Sequence, residues 1–460
     1  MLRCMHPRAT LMATILGSSL AFIDGSVVNV ALPALAHDLK VDPSNLTWAI
    51  NAYLLPLGVL ILIGGALGDH FGRRRLFQIG LSTFALASLA CAAAPSLAWL
   101  LAARGLQGLG AALLMPNSLA ILGGSFTGEA RGRAIGTWAA AGALAGAVGP
   151  ILGGWVVDTV GWRTIFTLNL PLAAGAGYLA WMYVDEHRES NHAAPLDAAG
   201  AVLAIVALGL LTWALTKASE SREAYSSSGA AAVGGILLLG AFVRHESKLG
   251  DRAIIPPGMF AAPTFVGLTL LTFFLYGSLG GLLVLLPYFL IKIDGWLAIA
   301  AGASLLPLPV LIAVGSRMMG RVAARHGERV PLTVGSGLVA IGLALYARIG
   351  PDGGNYWLDI FPPTFLVALG MGACVAPLTT AVMTSVDANH VGLASGFNSA
   401  VARIAGLIAT ALLGFVFAQQ ESNESFMVGF RAAALIGAAS AALAAGSALL
   451  LIRPRAVSAR

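Results

Sequence analysis

Charged residues are scarce in this sequence. Aspartate, glutamate, lysine and arginine together make up 10% of its 460 residues, whereas a soluble domain carries about 25%. Such a chain has too little charge to cover a surface that faces water. Hydrophobic residues make up 58%, and the apolar runs approach or exceed the length of about 20 residues that spans a bilayer as a helix. The composition therefore indicates an all-α integral membrane protein.

Cysteine is also scarce, and several familiar motifs are missing. Cys4, Cys91 and Cys374 lie far apart without the spacing of metal ligands, so we expect neither a disulfide framework nor a metal site. The net charge of +6 does not indicate nucleic-acid binding, because the basic residues are scattered and no aromatic residues are interleaved with them. No phosphate-binding loop, H-E-x-x-H motif or catalytic triad occurs, so the sequence predicts neither an enzyme nor a cofactor.

The apolar runs predict fourteen membrane-spanning helices when they are divided at charged residues and at Pro/Gly breaks. We expect a six-helix bundle at residues 1–185, an inserted two-helix linker at 186–258 and a second six-helix bundle at 259–460. A twelve-helix count stays an alternative, because the run at 228–243 is barely long enough to cross. The runs lie near residues 11–32, 46–67, 76–94, 97–121, 133–155, 164–184, 197–216, 228–243, 264–290, 297–316, 330–349, 360–385, 393–417 and 428–452.

The arginine and lysine residues predict the orientation of these spans. An even number of spans places both termini on one side, and that side holds 18 of the 27 basic residues, with seven on the other side and Arg104 and Arg403 inside helices. Because cytoplasmic loops are rich in arginine and lysine, we expect both termini in the cytoplasm. A cleaved secretion signal is disfavoured, since the first apolar run is too long and contains Asp24.

A glycine pattern recurs in the two halves. Gly65 and Gly72 precede the third helix, and Gly320 and Gly327 repeat the same spacing before the eleventh, 255 residues later. Each pair is followed by a basic stretch and by a further glycine eight residues on. Internal duplication is typical of transporters, so this repeat predicts two related halves.

Asp24 and Arg104 are the charges that fall within the predicted first and fourth helices. A charge at mid-bilayer costs on the order of 2.5 to 3.5 kcal/mol on insertion scales. Each lies about eight residues from the same membrane surface, a depth of roughly 12 Å at the rise of an α-helix, so they can face each other across a cavity. Competition between a proton and the arginine would make Asp24 a proton carrier. The alternative is a static buried ion pair that orders the two helices.

Two further segments combine glycine with functional side chains. Between the second and third helices, Asp69 and Arg73 flank Gly72, which permits a tight turn. Asp69 could cap a helix or pair with an arginine as a cytoplasmic latch, although the arginines alone fit a purely topological role. The fifth helix carries a stripe of small residues that allows close helix packing, with or without a gating hinge at its proline. The stripe comprises Gly142, Gly146, Gly149, Pro150, Gly153 and Gly154.

The chain resembles the major facilitator superfamily, and within it the fourteen-helix drug:proton antiporter branch. Four segments carry the resemblance, at residues 24–33, 65–75, 104–110 and 146–154. The segments Gly161-Trp162-Arg163 and 166–171 are also similar. It departs from the usual pattern at Trp296 and at Ala324, which stands in the second half where Asp69 stands in the first.

The resemblance implies roles for specific residues. Asp24 and Arg104 match the proton-coupling positions, and the glycine stripe of the fifth helix matches the antiporter motif. The cytoplasmic gate corresponds to Gly65, Asp69, Gly72 and Arg73. Candidates for the lining of a central cavity are Asn29, Gln107, Asn398 and Arg403.

By the same resemblance we expect a secondary transporter of the bacterial inner membrane. It would export small amphipathic molecules or drugs in exchange for protons by alternating access, as a monomer, with no cofactor beyond the proton gradient. A narrow-specificity exporter fits the same motifs. A proton symporter for uptake and a membrane receptor or enzyme without transport activity are the alternatives from other classes.

Overall fold

The structure, a computed structural model, describes residues 7–42, 45–126, 128–186, 197–220, 225–250, 253, 256–350, 354–386, 391–417 and 422–453. These residues form seventeen α-helices. In chain order they are α1 (Pro7–Leu39), α2 (Leu46–Phe71), α3 (Arg73–Ala92), α4 (Leu97–Ser125), α5 (Gly128–Thr159), α6 (Thr164–Thr167), α7 (Asn169–Tyr183), α8 (Ala198–Glu220), α9 (Tyr225–Leu249), α10 (Pro263–Lys292), α11 (Ala298–Ala303), α12 (Pro307–His326), α13 (Arg329–Tyr346), α14 (Phe361–Thr384), α15 (Val391–Leu412), α16 (Gly414–Phe417) and α17 (Asn423–Leu451).

These helices make up fourteen spans in the described part of the chain, because three spans are each built from two consecutive helices. The pairs are α6 with α7, α11 with α12, and α15 with α16. Thirteen segments are long and apolar enough to cross a membrane by length and composition. The remaining span is α2, a helix of 26 residues whose apolar part, Leu46–Ile61, is shorter. The predicted all-α architecture is confirmed.

The inserted pair is longer than its apolar runs indicate. Helices α8 and α9 have 23 and 25 residues, and both contain a segment long enough to span. The apolar run ends at residue 243, but α9 itself continues through the largely polar segment 244–249. The twelve-helix alternative is therefore wrong.

Successive spans run in opposite directions, so α1 begins and α17 ends at the same end of the bundle. We call the end that holds Pro7 and Leu451 the terminus end, and the opposite end the far end. Contacts between helices agree with this arrangement. Near the start of α1, Thr10 Oγ1 donates to the carbonyl of Tyr183 at the end of α7 over 3.4 Å.

The glycine repeat has the same backbone geometry in both halves. Gly72 and Gly327 end α2 and α12 with φ of 105° and 84°, a region that favours glycine because it has no Cβ. Each N–H donates to the carbonyl four residues earlier, that of Gly68 over 2.9 Å and that of Ala323 over 2.8 Å. The chain then reverses directly into the next helix, which explains why the spacing recurs.

The halves and the inserted pair pack through a limited set of helices. Helix α2 packs against α15, α1 against α10, and α5 against α11, while α8 packs against α9, α2 and α15. Large apolar side chains point outward around the bundle, among them Leu86, Leu237 and Leu450, which are 67%, 68% and 81% exposed. Such a surface suits a bilayer, because lipid replaces water as its solvent.

Candidate functional site

Asp24 and Arg104 form a direct ion pair inside the first half. Asp24 lies midway along α1 and is 0% exposed, and Arg104, in the third turn of α4, is 1% exposed. Arg104 Nη1 donates to Asp24 Oδ2. The sequence predicts that the two residues face each other across a cavity; in the structure they are in contact.

The second carboxylate oxygen of Asp24 accepts two amide hydrogen bonds. Gln107 Nε2, one turn after Arg104, and Asn169 Nδ2, the first residue of α7, each donate to Asp24 Oδ1 over 3.1 Å. Asn169 reaches inward where the sixth span is broken at Leu168 between α6 and α7. The carboxylate therefore has a charged donor on one oxygen and two neutral donors on the other.

The guanidinium of Arg104 has further partners. Its Nε donates to the carbonyl of Ala49 on α2 over 3.0 Å, and Nη1 also donates to Gln107 Oε1 over 2.9 Å. The rings of Tyr53 and Phe166 lie 4.4 and 5.9 Å from its Cζ atom. Hydrogen bonds and two aromatic faces thus compensate for the removal of this charge from water.

Ser88 joins the two amides to α3. Its hydroxyl accepts from Gln107 Nε2 over 2.8 Å and from Asn169 Nδ2 over 3.3 Å, and it donates to the carbonyl of Phe84 over 2.8 Å. Helices α1, α3, α4 and α7 therefore converge on Asp24, and all of them belong to the first half. If the partners of Asp24 separate, its carboxylate can lose the bond with Arg104 and bind a proton in its place. Arg104 itself stays charged.

Sequence reasoning finds Asp24, Arg104 and Gln107 but misses Ser88 and Asn169. A hydroxyl or amide within an apolar helix usually serves helix packing, so neither residue is distinctive alone. The available signal is the position of Asn169 inside the segment 166–171, which resembles the family.

At the terminus end, an unexpected acid caps α3. Glu186 accepts from the backbone N–H groups of Arg74 and Arg75 over 3.1 and 3.2 Å, and its carboxylate lies against the Cα of Gly72. A carboxylate at a helix N-terminus is stabilising. The side chain of Asp69, the expected latch, lies outside the described side chains. Sequence reasoning misses Glu186, because it lies beyond the end of α7, more than 100 residues from α3.

The two other residues of the predicted gate lie beside α4. Arg73 Nη1 donates to the carbonyl of Ala120 over 3.4 Å. Gly65 faces Pro116, since a Cβ added to it would lie 3.5 Å from the Cβ of that proline. Both residues therefore connect the turn between α2 and α3 to the terminus half of α4.

The small residues of α5 contact two different neighbours. Gly149 and Gly153 face α1, where an added Cβ would overlap Ser26 and Val27. Gly154 faces Ala298 of α11 as closely, and the Pro150 carbonyl faces Gly302. Gly146 has open space instead. The helix continues without a break through Pro150, and its stripe contacts both α1 of the first half and α11 of the second.

The other cavity candidates are dispersed. Asn29 is 6% exposed and its Oδ1 atom has no hydrogen-bond partner. Asn398 Oδ1 accepts from Thr272 Oγ1 on α10 over 2.6 Å. Arg403 Nη2 lies 3.1 Å from Met115 Sδ on α4, which joins the two halves. Gln107 belongs to the Asp24 network, so the structure brings only that candidate to the ion pair.

An aspartate joins the two halves at the far end. Asp158, near the end of α5, accepts from the backbone N–H groups of Ala298 and Ile299 over 3.2 and 2.9 Å. These groups begin α11 in the second half. Together with the close approach of Gly154 to Ala298, they close the far end between α5 and α11 in this conformation.

Comparison with known proteins gives consistent matches. The family model described as Major Facilitator Superfamily matches residues 14–410. Multidrug resistance protein Stp of Mycobacterium tuberculosis is 35% identical over 89% of this chain and 75% of its own length. The methylenomycin A resistance protein of Bacillus subtilis is 31% identical, with 89% and 87% covered. The tetracenomycin C resistance and export protein of Streptomyces glaucescens is 30% identical, with 90% and 77% covered.

Solved structures share the fold at low sequence identity. A proton dependent oligopeptide transporter superposes with a TM-score of 0.67 at 17% identity, covering 97% of this chain and 98% of that one. A bacterial homologue of the human lysosomal transporter Spinster, inward-facing and unoccupied, gives 0.64 at 15% identity, with 97% of each chain covered.

Proposed function

The chain belongs to the Major Facilitator Superfamily, and from that premise we propose that it exports small amphipathic molecules or drugs in exchange for protons. The resemblance seen in the sequence is confirmed. The chain is a multi-pass membrane transporter and not an enzyme. The proposal adds the direction of transport, its coupling to protons and its mechanism.

The observation that carries the proposal is the buried carboxylate of Asp24. This carboxylate is fully buried and accepts hydrogen bonds from Arg104, Gln107 and Asn169. A proton that neutralises Asp24 would weaken all of these bonds at once, because hydrogen bonds to a charged acceptor are stronger than those to a neutral one. Since the bonds tie α1 to α4 and α7, protonation would loosen the first half and link the proton gradient to its movement.

The way the halves meet supports alternating access as the mechanism. In this mechanism the units 1–185 and 259–460 rock about a central site, and the inserted pair at 186–258 accompanies them. The Asp158 contact with α11 supports a state that is closed at the far end. With both termini in the cytoplasm of a bacterial inner membrane, as the basic residues predict, that state would face inward.

The names of the relatives support export of drugs. They include a multidrug resistance protein and proteins named for single antibiotics, methylenomycin A, tetracenomycin C and puromycin. The second group favours a narrow-specificity exporter as the alternative within the same class. We propose that the chain acts as a monomer, because the Asp24 network lies within one chain.

The test is export from proteoliposomes across a proton gradient, with a panel of fluorescent dyes and antibiotics as probes. We expect wild-type protein to move at least one probe against its gradient when the compartment that receives the probe is acidic. Asp24→Asn should abolish gradient-driven movement while the protein stays folded. Asp38→Asn is the matched control, since Asp38 lies on the same helix but is exposed and paired with Arg163.

Each outcome has a definite meaning. Probe movement by the wild-type protein that does not depend on the proton gradient would refute proton coupling. Proton-coupled movement of the probe in the opposite direction would establish uptake. If Asp24→Asn couples transport to protons as the wild type does, the role of Asp24 is refuted but proton coupling of the transporter is not. Movement of one compound from the panel would favour the narrow-specificity exporter.

A further inference from the structure

A groove on the outer surface of the first half lies between α3 and α7. It has a volume of about 620 Å³ and is open along one side. Small residues form much of its floor, among them Ala173, Ala174 and Gly177, and an added Cβ at Gly177 would meet nothing within 4 Å. The groove is separate from the Asp24 network, which occupies the opposite, inward side of these helices.

Polar side chains line this groove although it faces the membrane. Gln78 and Ser82 contribute from α3 and Tyr178 from α7, and Tyr178 is 58% exposed. None of these three side chains hydrogen-bonds to another described group. Hydrocarbon offers no partner for them, so an occupant with both apolar and polar parts suits the groove better than an acyl chain alone.

The position along the bundle assigns the groove to one leaflet. Gln78 and Ser82 lie five and nine residues after the start of α3, about 8 and 14 Å along its axis from the terminus end. The hydrocarbon core is about 30 Å thick, so both lie in the leaflet at the terminus end. Gln78, the shallower of the two, is within reach of the glycerol and ester groups of a phospholipid, whereas Ser82 lies near the middle of the bilayer at the level of the acyl chains.

Two arginines lie at the terminus end of the same groove. Arg75 is exposed and precedes Gln78 and Ser82 by three and seven residues, which puts it on the same face of α3. Arg74 Nη2 donates to the carbonyl of Trp181 over 2.7 Å, so it bridges α3 and α7 above the groove, while its buried Nε has no acceptor. Trp181 is 55% exposed, as is usual for tryptophan at a membrane interface.

The nearby acids equal the arginines in number but leave Arg75 exposed. Arg73, Arg74 and Arg75 stand against Asp69, Asp185 and Glu186. Glu186 bonds to the backbone N–H groups of Arg74 and Arg75, so it occupies the helix N-terminus but leaves the guanidinium of Arg75 exposed. An anion would therefore bind the arginine side chains and not the end of the helix.

We propose that this groove is a binding site for an anionic phospholipid of the leaflet at the terminus end. The phosphate would accept from Arg75 and Arg74, the glycerol region would meet Gln78 and Tyr178, and an acyl chain would pass Ser82 and follow the small residues of α7. Basic pockets between membrane helices bind anionic headgroups in this way. A second copy of the chain is a weaker fit, because its own apolar surface would leave the polar lining unpaired.

The experiment measures lipid retention by native mass spectrometry of the full chain, with dioleoyl phosphatidylglycerol and dioleoyl phosphatidylcholine added in equal amounts. We expect wild-type protein to retain phosphatidylglycerol in preference by about fivefold or more. Arg75→Gln should remove the preference for the anionic lipid. Gly177→Leu should fill the groove and reduce retention of both lipids.

The controls make the same changes elsewhere on the surface. Arg325→Gln alters an exposed arginine at the terminus end of α12, and Gly240→Leu adds the same side chain to exposed α9, where an added Cβ also meets nothing within 4 Å. Both should behave as wild type. Equal retention of the two lipids by wild-type protein would mean an adventitious acyl chain only and would overturn the proposal. Undiminished retention in Gly177→Leu, or a dimer that this variant abolishes, would overturn it as well.

Discussion

At the residue scale, the Asp24 and Arg104 side chains depend on each other because neither reaches water. We predict that Arg104→Gln lowers the free energy of unfolding by about 3 to 5 kcal/mol, since it leaves a buried carboxylate without its cation. Asp24→Asn should cost less than Arg104→Gln, because the arginine keeps its bonds to Ala49 and Gln107. Unfolding of the purified variants in detergent measures both.

The double variant Asp24→Asn/Arg104→Gln is the control for this prediction. If the two residues act as a pair, its loss of stability will be smaller than the sum of the single losses. Strictly additive losses would contradict the interdependence of the two charges.

Asn169 supports the ion pair from α7. We predict that Asn169→Ala lowers stability by about 1.5 to 3 kcal/mol, because it removes a hydrogen bond to a charged group, and that it slows gradient-driven export. Asn423→Ala, at the exposed start of α17, is the matched control for the loss of an asparagine amide. Wild-type export and stability in Asn169→Ala would show that Gln107 alone suffices to hold Asp24 Oδ1.

The sequence predicts part of this site for a clear physical reason. Charges are costly within apolar helices, so Asp24 and Arg104 stand out. Ser88 and Asn169 do not, because their importance depends on the break at Leu168, which composition does not reveal. Glu186 lies outside any apolar run, and only the folded chain brings it to α3.

At the element scale, the α5 stripe offers a comparison within one helix. We predict that Gly153→Ala destabilises the protein by about 1 to 3 kcal/mol, because its Cβ would overlap Val27 of α1. Gly146→Ala should be neutral or slightly stabilising, since nothing lies within 4 Å of its added Cβ and alanine favours a helix. Thermal unfolding compares the two, and equal losses would contradict the close packing of α5 on α1.

The inserted pair has a pH-sensitive connection at its terminus end. Asp197 accepts from the N–H of Gly200 over 2.9 Å at the start of α8, and it lies 2.9 Å from His245 Nε2 on α9. Burial alone would raise the pKa of Asp197, but the hydrogen bonds from Gly200, His245 and Glu246 outweigh that effect and lower it. A lowered pKa contributes stability above the ordinary aspartate pKa, and this contribution is lost as the pH falls through the folded value.

We therefore predict that Asp197→Asn is less stable than wild type at neutral pH. The difference should close as the pH falls below about 4, because wild-type Asp197 then takes up its own proton. Melting temperatures of the two proteins across this range measure it. A difference that does not change with pH would mean that Asp197 acts through packing instead of charge.

The spans are predictable from hydropathy, but their interruptions are not. The run at 164–184 is predominantly apolar, and yet it forms two helices, α6 and α7, around Leu168. Similarly, α11 and α12 occupy one apolar run. Hydropathy reports how well a segment suits lipid, whereas a backbone break depends on the packing of its neighbours.

At the scale of the whole molecule, the carboxylate of Asp158 joins the two halves at the far end. We predict that Asp158→Ala increases the population with an open far end, because it removes two hydrogen bonds to the start of α11. Spin labels at Val160 and Leu297, which are 66% and 65% exposed, should show a longer distance by double electron–electron resonance. Glu424→Ala, an exposed acid at the far end, is the control. An unchanged distance distribution would contradict this role of Asp158.

The two halves share a fold but differ in chemistry. Gly72 and Gly327 make the same turn, while the buried Asp24–Arg104 pair seen in the described part of the chain lies in the first half. The sequence predicts this difference, because the glycine repeat recurs in the second half whereas Asp24, Asp69 and Arg104 all lie in the first. The consequence, that energy coupling resides in the first half and much of the substrate choice in the second, stays a prediction.

The crowded glycines of α5 also bear on how such a protein can change over generations. Gly149, Gly153 and Gly154 leave no room for even one methyl group, so almost any inherited substitution there would disrupt packing before it could alter what is transported. We expect strains selected for resistance to new compounds to keep these positions and to acquire their changes elsewhere. We thus expect natural adaptation of this transporter to avoid the positions of α5 where only glycine fits.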